Sequence, residues 1–108
     1  MPTFADNLQR LPLLDDVAAL ELCDASGGVV AVIENKPGSA GSLRVYGYLA
    51  DKWGGIGADA AREGLELYAE HTADARANPG KHPNIDRLFQ IIEQGTRYQV
   101  RAVPPTQS

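Results

Sequence analysis

The stretch VAALELCDASGGVVAVIEN, residues 17–35, decides the fold. Ala18, Leu20 and Leu22 alternate with Ala19, Glu21 and Cys23. That period of two puts successive side chains on opposite faces of a strand. Asp24, Ser26, Gly27 and Gly28 follow, all turn formers. Val29 to Ile33 is β-branched on both faces except at Ala31, which suits a central strand. The segment reads as a β-hairpin that sends Leu20, Leu22, Val30 and Val32 into the core.

Upstream, Thr3 and Asp6 mark a helix start, and Phe4, Leu8 and Leu11 fall on one helical face before Pro12 stops the run. Downstream, KPGSAGS, residues 36–42, is a loop by composition. SLRVYGYLADKWGG, residues 42–55, fits two patterns. As a strand, Leu43, Val45 and Leu49 alternate with Arg44, Tyr46 and Tyr48. As a helix, Leu43, Tyr46, Ala50 and Trp53 share a face, Ser39 or Ser42 caps the start, and Gly54 supplies the left-handed terminator. The helix accounts for more of the residues, although it leaves Val45 and Tyr48 off the buried face.

ADAAREGLELYAEHTADARA, residues 58–77, reads as one helix. Its buried stripe is Ala61, Leu65, Tyr68, Thr72 and Ala75, and Glu63, Glu66, Glu70 and Asp74 lie opposite. Gly64 weakens it by ~1 kcal/mol relative to alanine unless a neighbour needs close approach there. NPG at 78–80 ends it, and Asn84 caps a further helix whose Ile85, Leu88, Phe89 and Ile92 face inward up to Gly95. TRYQVRAV, residues 96–103, is the last strand, with Tyr98, Val100 and Ala102 on one face and Arg97, Gln99 and Arg101 on the other. The expected fold is α+β in the order α-β-β-α-α-α-β, a three-stranded antiparallel sheet with helices on one face. Residues 1–103 are expected to form a single domain, followed by a flexible tail, PPTQS, at 104–108.

A chain of 108 residues with 44% hydrophobic and 22% charged residues can bury a modest core without staples. Cys23 is the only cysteine, which excludes an intramolecular disulfide and a thiolate zinc site and suits a reducing compartment. The amino terminus shows no secretory pattern, and the longest aliphatic run, Val29 to Ile33, is far short of the ~20 residues that span a bilayer. A cytoplasmic protein without a membrane partner is expected. A net charge of −4 argues against nucleic acid.

The first candidate site is NKPGSAGSLR, residues 35–44. Gly38, Ser39, Gly41 and Ser42 before a helix can offer backbone N–H groups to an anion, with Lys36 and Arg44 adding charge. It is not a phosphate loop of the Walker type, because Lys36 precedes the glycines. A plain strand-to-helix connection explains the same residues. The second candidate is ADARANPGKHPNIDRLF, residues 73–89. Its prolines, glycine and asparagines all act as a joint between helices, leaving Lys81 and His82 without a structural task. His71 and His82, the only histidines, have no metal-ligand spacing with Glu70, Asp74 or Asp86, so no metal or cofactor is expected. Cys23 sits mid-strand and reads as a structural thiol, and Asp15 and Asp16 read as turn formers.

Two stretches, VVAVIENKPGSAGSLRVY and GLELYAEHTADARANPGKHPNIDRLF, resemble the shared segments of a family of small bacterial proteins known as domain of unknown function 2322. The resemblance runs from about residue 4 to 103. It implies a bacterial source and a protein of about this length, and it carries no catalytic residue or cofactor.

Three functions follow, in order of preference. The first is a non-catalytic binding protein for an anionic small molecule or acidic protein segment, held by Lys36, Gly38, Ser39, Gly41, Ser42, Arg44, Lys81 and His82 around one cleft. The second is a homodimer formed through the uncovered sheet face, unless the first helix covers it with Phe4, Leu8 and Leu11. The third is an enzyme, a small hydrolase or metal-dependent catalyst, with His71 or His82 as general base.

Overall fold

The computed structural model describes residues 2–105, so residues 106–108 of the expected tail lie outside the described residues. The elements are α1 (Phe4–Gln9), β1 (Ala19–Cys23), β2 (Val29–Glu34), α2 (Ala40–Trp53), α3 (Ala58–Tyr68), α4 (Glu70–Ala77), α5 (Pro83–Gln94) and β3 (Gln99–Val103). The fold is α+β, with an antiparallel sheet in the order β2-β1-β3 and the helices over one face. Residues 42–53, open between strand and helix in the sequence, are helical.

Register decides which hairpin residues are buried. Leu20 stands opposite Ile33 and Ala102, and Leu22 opposite Ala31 and Val100. Directly opposed residues share a face, so Leu20, Leu22 and Ile33 enter the core. Val30 and Val32, expected inside, are instead 49% and 52% exposed. Both rows of β2 are aliphatic, so the row that faces inward is set by pairing with β1, where a bulge between Leu22 and Cys23 shifts the register. Asp24 holds the turn by accepting from the Ser26 amide and hydroxyl and the Gly28 amide.

α2 lies on the inner sheet face and is wrapped by α3, so its buried residues are Leu43, Val45, Tyr46 and Leu49. Val45 is therefore fully enclosed and Trp53 is 39% exposed, the reverse of a one-sided helix. Trp53 Nε1, Tyr48 hydroxyl and Lys52 Nζ all donate to Glu63, tying α2 to α3 at the rim. On α5 the inward residues are Ile85, Leu88 and Ile91, while Phe89 and Ile92 are half-buried, as are Leu65 and Val100. Cys23 is buried.

The expected helix over 58–77 is divided in two. Ala69 adopts φ 51° and ψ −116°, and α4 starts in a new direction after it. The break is held by Thr72, whose hydroxyl donates to the Leu65 carbonyl, an acceptor that the end of α3 leaves orphaned. The stripe of Ala61, Tyr68, Thr72 and Ala75 is buried in spite of the break. α1 starts with a capping box between Thr3 and Asp6. It packs on α2 and α3 rather than across the outer sheet face, which stays open. Among the described residues, no helix is long and apolar enough to cross a membrane.

Candidate functional site

α1, the first turn of α2, the end of α3, the start of α4 and the entry to α5 enclose a cleft of about 450 Å³. Gly41 allows this closure. A Cβ there would stand 3.3 Å from Phe4 Cζ and 3.4 Å from Leu8 Cδ1, so those side chains would have to give by a few tenths of an ångström. α1 is further held by Asn7, which donates to the Leu67 carbonyl, and by Glu70, which accepts from the Phe4 amide. Phe4 stacks on Tyr68 at 5.1 Å and meets His71 edge-on at 5.1 Å.

Gly38, Gly41, Ser42, Lys81 and His82 all line this cleft, so the two loops singled out in the sequence meet there. Two other expected cations are spent elsewhere. Arg44 turns away and donates to the carbonyls of Leu8, Leu11 and Pro12, satisfying acceptors at the end of α1. Lys36 pairs with Glu34 at 3.5 Å across an exposed surface. A site that gathers Lys36, Arg44, Lys81 and His82 is therefore corrected to one lined by Lys81 and His82, both of which also bond to Asp74. Ser39 occupies the N-cap position of α2, but its hydroxyl donates to the Glu34 carbonyl and caps no amide. The cap of α5 is likewise His82 rather than Asn84, with Pro83 in the first turn.

Among the described residues, the Gly41 and Ser42 amides have no acceptor, as expected for an uncapped first turn. The Tyr68 hydroxyl donates to Ser42 Oγ at 2.7 Å, which leaves the serine proton to be given to a third group. Burial pushes the Tyr68 phenol up, chiefly by desolvation, so it stays a neutral donor. His71 and His82 approach to 5.7 Å between ring centres, joined by the turn that folds α5 back along α4.

Asp74 backs the site from outside the cleft. It accepts from His82 Nε2 at 2.6 Å and Lys81 Nζ at 3.0 Å. These two bonds, the histidine's first, hold its carboxyl at about 2. A depressed carboxylate contributes stability above its unfolded value of 3.8, and that contribution disappears as pH falls through about 2. Asp74→Asn is therefore expected to be less stable than the parent at neutral pH. The gap in thermal midpoint should close between pH 4 and pH 2, which melting curves across that range will read. A gap that stays constant with pH would refute this account.

Residues missed in the sequence are Tyr68, Ser42's partner, and Phe4. Both looked like core positions, and only the break at Ala69 brings Tyr68 to a wall. Among the described residues, no group of three or more histidine, cysteine, aspartate or glutamate side chains is placed to hold a metal ion.

Residues 4–102 match the sequence pattern of a family described as uncharacterized protein conserved in bacteria, DUF2322. The chain belongs to that family. No curated protein and no solved structure matches it. Within the DUF2322 family member described here, the matched span contains both loops of the cleft and all eight helices and strands except the last residue of β3.

Proposed function

We propose that the protein binds a small anionic molecule, without transforming it, in the cleft between the 38–42 and 81–85 loops. The observation that carries this reading is the pair of free amides, Gly41 N–H and Ser42 N–H, with the Ser42 hydroxyl beside them on the cleft wall. Lys81 adds positive charge at the rim, and neither Asp74 nor Glu70 lines the cleft. Free amides at the start of a 14-residue helix favour negative charge by their alignment with the helix dipole. Phe4, Tyr68 and Leu8 give the remaining wall an apolar character suited to a carboxylate or phosphate carried on a small organic body.

A thermal-shift titration at low ionic strength with inorganic phosphate, sulfate and short aromatic carboxylates tests the reading. A ligand at 100 times its Kd stabilises the native state by ~2.7 kcal/mol, or about 10 °C in a domain of this size. Lys81→Ala, on an exposed side chain, is expected to weaken that ligand about tenfold through loss of one charged hydrogen bond. Equal shifts in the parent and Lys81→Ala, or no shift with any anion, would overturn it.

A second reading is general-base catalysis by His82. It is favoured by the Asp74 carboxylate at 2.6 Å from Nε2, which would orient the ring and leave Nδ1 as the accepting atom. Turnover of ester or phosphoester substrates that is lost in His82→Ala would favour this reading over simple binding.

A further inference from the structure

We propose that His71 and His82 take up protons when the cleft binds its anion, so that the ligand is held below neutral pH and released above it. This rests on the anion reading and adds to it a ligand residue, His71, and a means of release.

The charges around the cleft leave the two imidazoles in control. Lys36 is paired with Glu34, and Arg44 is turned to the end of α1. Lys81 bonds to Asp74 at 3.0 Å, so its positive charge is offset by a carboxylate. That carboxyl is held at about 2 and stays ionised throughout the neutral range. The remaining ionisable groups of the lining are Tyr68, a neutral phenol, and the two histidines. Histidine is the one side chain whose ordinary ionisation falls between about pH 5 and about pH 8. Each proton on His71 or His82 therefore adds one whole charge to a wall that otherwise offers the partial charge of free amides.

The geometry suits capture by both rings. They line the cleft with centres 5.7 Å apart and planes tilted by 48°. His82 Nε2 bonds to Asp74 at 2.6 Å, which leaves Nδ1 for another partner. His71 is held edge-on by Phe4, and among the described residues neither of its nitrogens has a hydrogen-bond partner. Two imidazolium rings this close repel each other, and an anion beside both replaces that repulsion with two attractions. Linkage then requires that protons favour the anion as much as the anion favours protons. The other charged groups around the pair are already bonded. Glu70 of α4 accepts from the Phe4 amide, and Asp6 of α1 closes its own capping box. Asp86 of α5 accepts from the Gly80 amide, and Arg87 donates to Asn84 and the Tyr46 hydroxyl. None of these carboxylates lines the cleft, so none competes with the ligand there.

NMR titration of the full chain with sulfate and with benzoate, from about pH 5.5 to about pH 8.5, tests the proposal. Both anions keep their charge over that range, and the chain has 2 histidines, so each imidazole can be followed. Affinity is expected to rise about tenfold or more from the upper to the lower limit, and saturating anion should move both imidazole titrations to higher pH. His71→Gln and His82→Gln should each flatten the profile in part, and the double variant should flatten it fully. The parental imidazole titrations decide the matter even where a variant is destabilised. Equal affinity at both limits overturns the proposal and leaves the binding reading intact, whereas no anion-dependent shift at any pH overturns both. A rise that persists in the double variant places the proton elsewhere and overturns the proposal as well.

Discussion

Leu88→Ala is expected to lower stability by ~2–5 kcal/mol, read as a fall in urea midpoint at unchanged slope. Leu88 is fully buried on α5 and meets α3 where Gly64 lets the helices come closest. The cost has two parts. Removing the isobutyl group forfeits its transfer free energy, and the void it leaves is lined by helices that can only partly collapse. Leu49, Tyr46 and Ile91 surround the same region and are themselves fully enclosed, so none is free to swing in from the surface. A midpoint indistinguishable from the parent would mean that α5 is not seated on α3 as described.

The second large effect is its mirror image. At Gly64 an added Cβ would stand 2.8 Å from Leu88 Cδ1 and 2.9 Å from Leu49 Cδ1. Alanine is the better helix former by ~1 kcal/mol, so propensity alone favours Gly64→Ala. Overpacking against two enclosed leucines costs ~1–3 kcal/mol and should win, giving a net loss of stability. Combining the two substitutions sharpens the test. In the background of Leu88→Ala the new methyl enters the space vacated by the leucine, so the double variant should be more stable than the sum of the singles requires. Strict additivity would show that the two sites do not share one space.

The same pair of residues shows how far the sequence could be read. Leu88 announces itself by helical spacing, and Gly64 by being a helix breaker inside a strong helical pattern, which signals close approach. The hairpin and the joint at 78–82 were legible for similar local reasons, while residues 42–53 fitted strand and helix alike with the helix preferred. What was not legible depends on partners far along the chain. Ile33 rather than Val32 faces inward because Leu20 and Leu22 choose its row, and both rows of VVAVIE are equally apolar. The break at Ala69 has no local mark, since LELYAEHTADA contains neither glycine nor proline and alanine is the best helix former. Its cause is tertiary: Thr72 and the docking of α1 against Tyr68 hold a backbone conformation that an isolated peptide would avoid. Arg44 looked like a ligand for an anion because its charge suggests solvent. The carbonyls left at the end of α1 are an alternative acceptor, visible only once the chain is folded. The cleft itself was half legible. The loops that meet there stood out by composition, but the wall of Phe4 and Tyr68 did not.

The central position of β1 has a consequence for the order in which the protein is made. Its partner β3 lies at the other end of the chain, and the Glu21–Arg101 bond spans 80 positions. α1 waits in the same way, because Asn7 and Phe4 bond to groups 60 and 66 positions later. During synthesis α1 and β1 leave the ribosome with these later partners not yet made. A nascent chain that stops anywhere before residue 99 has its middle strand bare along one side. Closure of the sheet thus waits until residues 99–103 have been made, and until then the β1 backbone groups that pair with β3 have no partner in the sheet.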